Sequence, residues 1–126
     1  MRHLVRAFSL LLAVGFTAGT VSAAETAAVK TMAGILISLE HLPNDADKQA
    51  LEAIVTSSDA TAQEKTVARA LMNVQHKASA QDKPKLDAIV KDPAASPSVK
   101  TLAGIVSSLN HTASAADKEK LAALAK

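Results

Sequence analysis

The sequence contains no cysteine, tryptophan or tyrosine, and its only two phenylalanines, Phe8 and Phe16, both lie near the start of the chain. Without cysteine the chain can form neither a disulfide nor a thiolate metal site. Single-stranded nucleic acids are usually bound by stacking bases on aromatic rings, so the shortage of rings argues against that class of ligand. A glycine-rich phosphate-binding loop is also missing, since the four glycines, at positions 15, 19, 34 and 104, have the spacing of no such motif.

The beginning of the chain has the three-part layout of a secretory signal peptide. Two arginines stand among the first six residues, an apolar run follows over residues 9–21, and small residues continue to Ala23. The apolar run is too short for a comfortable membrane span. We therefore predict a signal peptide over residues 1–23, cleavage after Ala23 or Ala24, and a periplasmic or secreted protein. An organellar presequence is the alternative, but such segments are amphipathic rather than uniformly apolar.

Removal of this leader changes the charge of the protein. Of the fourteen Lys and Arg side chains two leave with the leader, so that twelve basic side chains face twelve acidic ones. A neutral surface without basic runs argues against nucleic acid, because neutralisation of phosphates supplies most of that binding energy. We expect residues 24–126 to form one domain without a membrane span, since about 102 residues can bury a core.

The mature chain consists of three similar units with a period of 35 residues. The stretches LEHLPNDADKQAL, VQHKASAQDKPKL and LNHTASAADKEKL occupy the same position in units 26–60, 61–95 and 96–126. Units one and three agree at 14 of 31 aligned positions, which is more than chance produces. A period of this length is typical of helical hairpins that stack on one another.

Each unit carries the pattern of two amphipathic helices, the first about fifteen residues long. Both helices open on residues whose side chains accept a hydrogen bond from a free backbone N–H. The predicted caps are Thr26, Asn44, Thr61, Ser79, Ser96 and Ser114. In the middle unit we expect the second helix to begin near Asp82, so that Pro84 falls in its first turn. The predicted fold is all-α with six helices, as a short α-solenoid or as a compact bundle.

One histidine recurs in each unit, at His41, His76 and His111. The structural interpretation places it in the last turn of the first helix, where it complements the helix dipole. The alternative is a metal site. In an open stack, equivalent residues lie about 8–10 Å apart, too far for three ligands that must each reach about 2.0–2.1 Å from one zinc ion. Only a closed bundle could bring them together, and from sequence alone we predict neither metal ligands nor a cofactor.

A lysine also recurs in each unit, and on a helical wheel it shares a stripe with the histidine. The six residues form a candidate interaction ridge, suited to a partner with regularly spaced acidic groups. They are Lys30, His41, Lys65, His76, Lys100 and His111. The alternative is an ordinary solvated face.

No serine or threonine stands near a histidine together with an orienting acid, so we expect no enzymatic activity. The sequence is best interpreted as an exported interaction or scaffold protein of a bacterial periplasm, whose partner is another protein or a second copy of itself. A small periplasmic metal-binding or metal-buffering protein that uses the three histidines is the alternative.

Overall fold

The computed structural model of the protein describes residues 25–126, so the predicted signal peptide and its cleavage site lie outside the described residues. The described part contains six helices and no β-strand, which confirms the predicted all-α fold. None of these helices combines the length and the hydropathy that a membrane span requires. The helices are α1 (Ala27–Ser38), α2 (Asp45–Thr56), α3 (Ala62–Met72), α4 (Lys83–Lys91), α5 (Pro97–Ser107) and α6 (Ala115–Leu124).

Five helices begin directly after a residue that was predicted as a cap. The Asn44 side chain accepts a hydrogen bond from the Asp47 N–H at 2.8 Å, and the Asp47 carboxylate accepts one from the Asn44 N–H in return. Thr61 and Glu64 form the same reciprocal pair at the start of α3. Such caps each stabilise a helix by about 1 kcal/mol, because they satisfy N–H groups that have no partner inside the helix.

The second helix of the middle unit differs, and Ser79 is not its cap. Helix α4 begins at Lys83 with Asp82 in the cap position. The Ser79 hydroxyl accepts from the Asp82 N–H at 3.1 Å and donates to the Asp82 carboxylate at 2.7 Å, so it stabilises the turn that precedes the helix. The physical reason is Pro84, which has no N–H and fits only into the first helical turn.

The helices pack in a cyclic order. Helices α1, α3 and α5, the first of each unit, contact one another along the middle of the molecule. The second helix of each unit packs against the first helix of the next, α2 against α3 and α4 against α5. Helix α6 packs against α1, which joins the last unit to the first. The two architectures left open by the sequence are thereby resolved in favour of a closed bundle.

Equivalent positions of the three units build the core. Ala33, Ala68 and Ala103 are fully buried at the same position of the first helices, where a small side chain lets helices approach closely. Leucines at the same position of the second helices, residues 51, 86 and 121, are fully buried as well. Each such leucine contributes about 1.5–3 kcal/mol of hydrophobic stabilisation.

The first helices are shorter than predicted, which corrects the placement of the histidines. Helix α1 ends at Ser38, and the next residue, Leu39, has an extended backbone with φ −66° and ψ 125°. Helices α3 and α5 end at Met72 and Ser107. The three histidines therefore lie in the turns between helices, three or four residues past the helix end, and not in the last helical turn.

Candidate metal centre

The turns that carry the three histidines meet at one end of the bundle. The N–H of His76 donates to the carbonyl oxygen of His41 at 2.8 Å, and the N–H of His111 donates to that of His76 at 2.7 Å. These bonds connect residues that are 35 positions apart in sequence. They hold the backbones of neighbouring turns in contact and so bring the three side chains to the same place.

Two of the histidines have an uncommon backbone conformation. The φ angle is 66° at His76 and 64° at His111, in the left-handed region that glycine adopts readily and that asparagine, aspartate and histidine adopt more often than other residues do. This conformation costs an ordinary L-residue about 1–2 kcal/mol. At His111 it is part of a three-residue turn, in which the Thr112 N–H donates to the Asn110 oxygen at 2.8 Å. Strain of this kind concentrates at functional sites, where it positions a side chain.

The three imidazole rings pack directly against one another. Their centroids are 5.1 Å apart for His41 and His76, 5.7 Å for His41 and His111, and 4.9 Å for His76 and His111. The Nδ1 atoms of His76 and His111 are 3.0 Å apart. All three residues are exposed to solvent, so the cluster lies on the surface at the end of the bundle.

This spacing is close to that of a three-histidine metal site. One ring nitrogen of each histidine lies within 4.8 Å of a ring nitrogen of both others. Three nitrogens bound to a tetrahedral zinc ion at 2.0–2.1 Å are about 3.3 Å apart. The His76 and His111 pair is already near this distance, and the widest separation needs to shorten by roughly 1.5 Å. Exposed side chains cover that distance by rotation about their side-chain bonds.

The structure does not bring the recurring lysines to this cluster. Lys30, Lys65 and Lys100 are half-buried residues in the first two turns of α1, α3 and α5, whereas the histidines follow the opposite ends of these helices. The six residues of the candidate interaction ridge thus separate into three lysines toward one end of the bundle and three histidines at the other.

Local sequence motifs give no signal for this cluster. Recognised metal motifs place ligands a few residues apart on one helix or turn, whereas here each unit supplies one histidine. The signal that the sequence does offer is the recurrence of one histidine in each unit. The contact of α6 with α1, which closes the bundle, then brings these histidines together.

No protein-family model, curated protein or solved structure matches this chain. The assignment of a function therefore depends on the geometry of the chain itself.

Proposed function

We propose that this chain is an exported metal-binding protein that holds one divalent transition-metal ion, in the first place zinc, on His41, His76 and His111. The observation that carries the proposal is the mutual distance of at most 4.8 Å between ring nitrogens from three separate units. Imidazole is a preferred ligand for zinc, copper and nickel. Export is supported by the amino-terminal pattern of the sequence.

The arrangement of the rings favours zinc over copper(II). The rings come from three sides of a cyclic bundle, which suits three of the four corners of a tetrahedron. Zinc takes tetrahedral sites readily, whereas copper(II) prefers ligands in one plane around it. Copper nevertheless has the higher intrinsic affinity for nitrogen ligands, so it is the competitor against which selectivity has to be measured.

A metal ion would also make use of the backbone strain. His76 and His111 adopt left-handed conformations that glycine would adopt without cost, yet both positions carry the same imidazole. An imidazole at such a position is useful if it binds a metal ion. A zinc ion bound by the Nδ1 atoms of His76 and His111, which are 3.0 Å apart, would give both rings this role.

The exposure of the site supports reversible loading. All three ligands are exposed, and a tetrahedral ion bound to them has its fourth position toward solvent. Metals are exchanged through such open positions, whereas structural zinc sites are closed by four protein ligands. We therefore propose that the protein buffers or carries metal rather than using it to fold.

The test is calorimetric titration of the purified, metal-free protein with zinc chloride and, separately, copper(II) chloride. We expect one zinc ion per chain. Each single His→Ala variant should bind zinc at least about tenfold more weakly, because only two of the three imidazoles remain. Gln75→Ala is the matched control, since Gln75 is the exposed neighbour of His76. A triple His→Ala variant that binds zinc as the parent does would refute the proposal.

An interaction with another protein, or with a second copy of the chain, is the second candidate function. It is favoured by Leu42, which follows His41 directly and is 51% exposed, a large apolar side chain beside the metal site. Unit three has Thr112 at the equivalent position, so Leu42→Thr introduces a residue that this turn of the fold accommodates. Sedimentation of the parent and the variant should show association that weakens in the variant. Equal sedimentation of both as monomers would count against self-association through Leu42.

A further inference from the structure

A cavity of about 380 Å³ lies at the end of the bundle opposite the histidines. It is open to solvent and is lined by the first turns of α1, by α2 and by the turn that leads into α3, and alanines at positions 28, 50, 53 and 60 form much of its wall. Cavities that bind small molecules are about 300–1,000 Å³ and largely apolar. The cavity is therefore large enough for a small ligand.

The repeat shows what fills the corresponding place in the middle unit. Ala28 corresponds to Gln63, and Ser57 corresponds to Asp92. In the middle unit the Gln63 amide donates to the Asp92 carboxylate at 3.4 Å, so two polar side chains meet across the gap between helices. Ala28 and Ser57 are too short to meet in this way, and space remains between them.

A third position distinguishes unit one from both other units. Ala50 lines the cavity, whereas Lys85 and Lys120 occupy the corresponding positions of α4 and α6. A lysine carries a flexible four-carbon chain and a positive charge. Its replacement by alanine removes both from the wall, so unit one has at once more room and one fewer cation at this place.

The cavity contains a buried carboxylate. Glu64 is 2% exposed, and the equivalent residues of the other units are Val29 and Val99. One carboxylate oxygen of Glu64 accepts a hydrogen bond from the Thr26 hydroxyl at 2.8 Å, and the other accepts one from the Thr61 N–H at 3.3 Å. Both donors are neutral groups, so these hydrogen bonds bring no positive charge to the carboxylate.

A ligand with a positive charge would complement this site. Burial of a carboxylate is costly, and the cost falls when a cation that can hydrogen-bond to it is close. Each carboxylate oxygen can accept a further hydrogen bond. The exposed Asp59 also lines the cavity and adds a second negative charge. Alanine methyl groups between these charges provide contacts for an alkyl chain.

We propose that this cavity binds a small aliphatic amine, and best a linear diamine. One ammonium group donates to the Glu64 carboxylate, the alkyl chain lies against the alanines of α1 and α2, and the second ammonium group lies near Asp59. This site is independent of the histidine cluster, because it lies at the other end of the first helices.

The probe is 1,4-diaminobutane, added to the isotopically labelled, metal-free protein and followed by amide resonances in NMR spectra. A chelator is present throughout, since amines also bind metals. We expect saturable shifts confined to residues around the cavity, and at least about tenfold weaker binding by butylamine, which lacks the second charge. Glu64→Gln keeps the size of the side chain and removes its charge, and should weaken diamine binding at least about tenfold.

Ala50→Lys provides a test that does not depend on altering the cap of α3. This substitution introduces the residue that both other units carry, so the fold accommodates it, and the new ammonium group fills the site. We expect it to abolish the shifts, whereas Ala122→Lys, at an exposed position of α6, should leave them unchanged. Absence of saturable shifts in the parent protein, or equal binding by the parent and Ala50→Lys, would overturn the proposal.

Discussion

Replacement of His76 or His111 by glycine should stabilise the metal-free protein, whereas the same change at His41 should destabilise it. His76 and His111 have φ angles of 66° and 64°, and His41 is not among the described residues with a positive φ. All three rings lose similar ring contacts on substitution, because their centroids are 4.9–5.7 Å apart. The backbone is thus the main difference between the three positions.

The expected magnitudes follow from two opposing terms. A left-handed backbone costs an ordinary residue about 1–2 kcal/mol, and glycine adopts it freely. Glycine also gives the unfolded chain more freedom, which lowers the stability of the fold by roughly 0.5–1 kcal/mol at any position. From these two terms we expect His76→Gly to gain about 0–1.5 kcal/mol in the free energy of unfolding. His41→Gly should be less stable than His76→Gly by about 1–2 kcal/mol, since the strain term is absent at His41 and the lost ring contacts are similar at both positions.

The assay is urea denaturation of the parent and the three glycine variants, followed by circular dichroism in the presence of a chelator. The midpoints give the differences in free energy directly if the slopes agree. Equal effects at positions 41 and 76 would show that the left-handed backbone stores no strain, and the link between strain and function would then be lost. In the presence of zinc the parent should become more stable than the His76→Gly and His111→Gly variants, because a glycine variant lacks one ligand and gains less stability from the metal.

Further perturbations test the hydrophobic core, the cyclic packing of the helices, the export signal and metal binding. Leu71→Ala, at a fully buried position of α3, should cost about 2–5 kcal/mol by urea denaturation, whereas Val90→Ala, at a 41% exposed position, should cost far less. Removal of residues 97–126 takes away α5 and α6 and uncovers apolar faces of the remaining helices, so most helical circular dichroism should disappear or the fragment should form oligomers. A monomeric fragment that melts like the parent would contradict the cyclic packing as the source of stability. Mass spectrometry of the native protein should find its first residue at Ala24 or Glu25, and an intact initiator methionine in the soluble fraction would refute the export proposal. Zinc at one hundred times its dissociation constant should raise the free energy of unfolding by about 2.7 kcal/mol, and an unchanged urea midpoint would contradict metal binding to the folded state.

The helices could be predicted from the sequence because their signals are local. The reciprocal pair of Thr61 and Glu64 and the apolar spacing that follows it lie within one or two helical turns, and each acts without the rest of the fold. The ends of the first helices were harder to predict for a physical reason. Leu39 continues the helical spacing of apolar residues, yet it is buried from an extended backbone. Periodicity reports burial, and it cannot separate a last helical turn from a buried turn residue.

The histidine cluster could not be predicted because it depends on the cyclic closure of the bundle. Distances between units follow from how the helices pack, and the sequence left an open stack and a closed bundle as alternatives. In an open stack the three histidines would be about 8–10 Å apart along a line. The contact of α6 with α1, together with the hydrogen bonds from His76 to His41 and from His111 to His76, replaces that line by a triangle.

Closure also decides which repeated residues meet. Any residue that recurs once in each of three cyclically packed units appears three times around one axis, and its distance from the axis determines what it does. Ala33 and its two equivalents are fully buried within the helices, where their small side chains let the helices approach. Lys30 and its equivalents remain half-buried on their own helices. His41 and its equivalents lie beyond the helix ends, where solvent reaches them and one ring nitrogen of each lies within 4.8 Å of the others. The position of a repeated residue along the chain therefore decides whether its three copies meet, and of these three sets of described residues only the histidines meet where solvent has access.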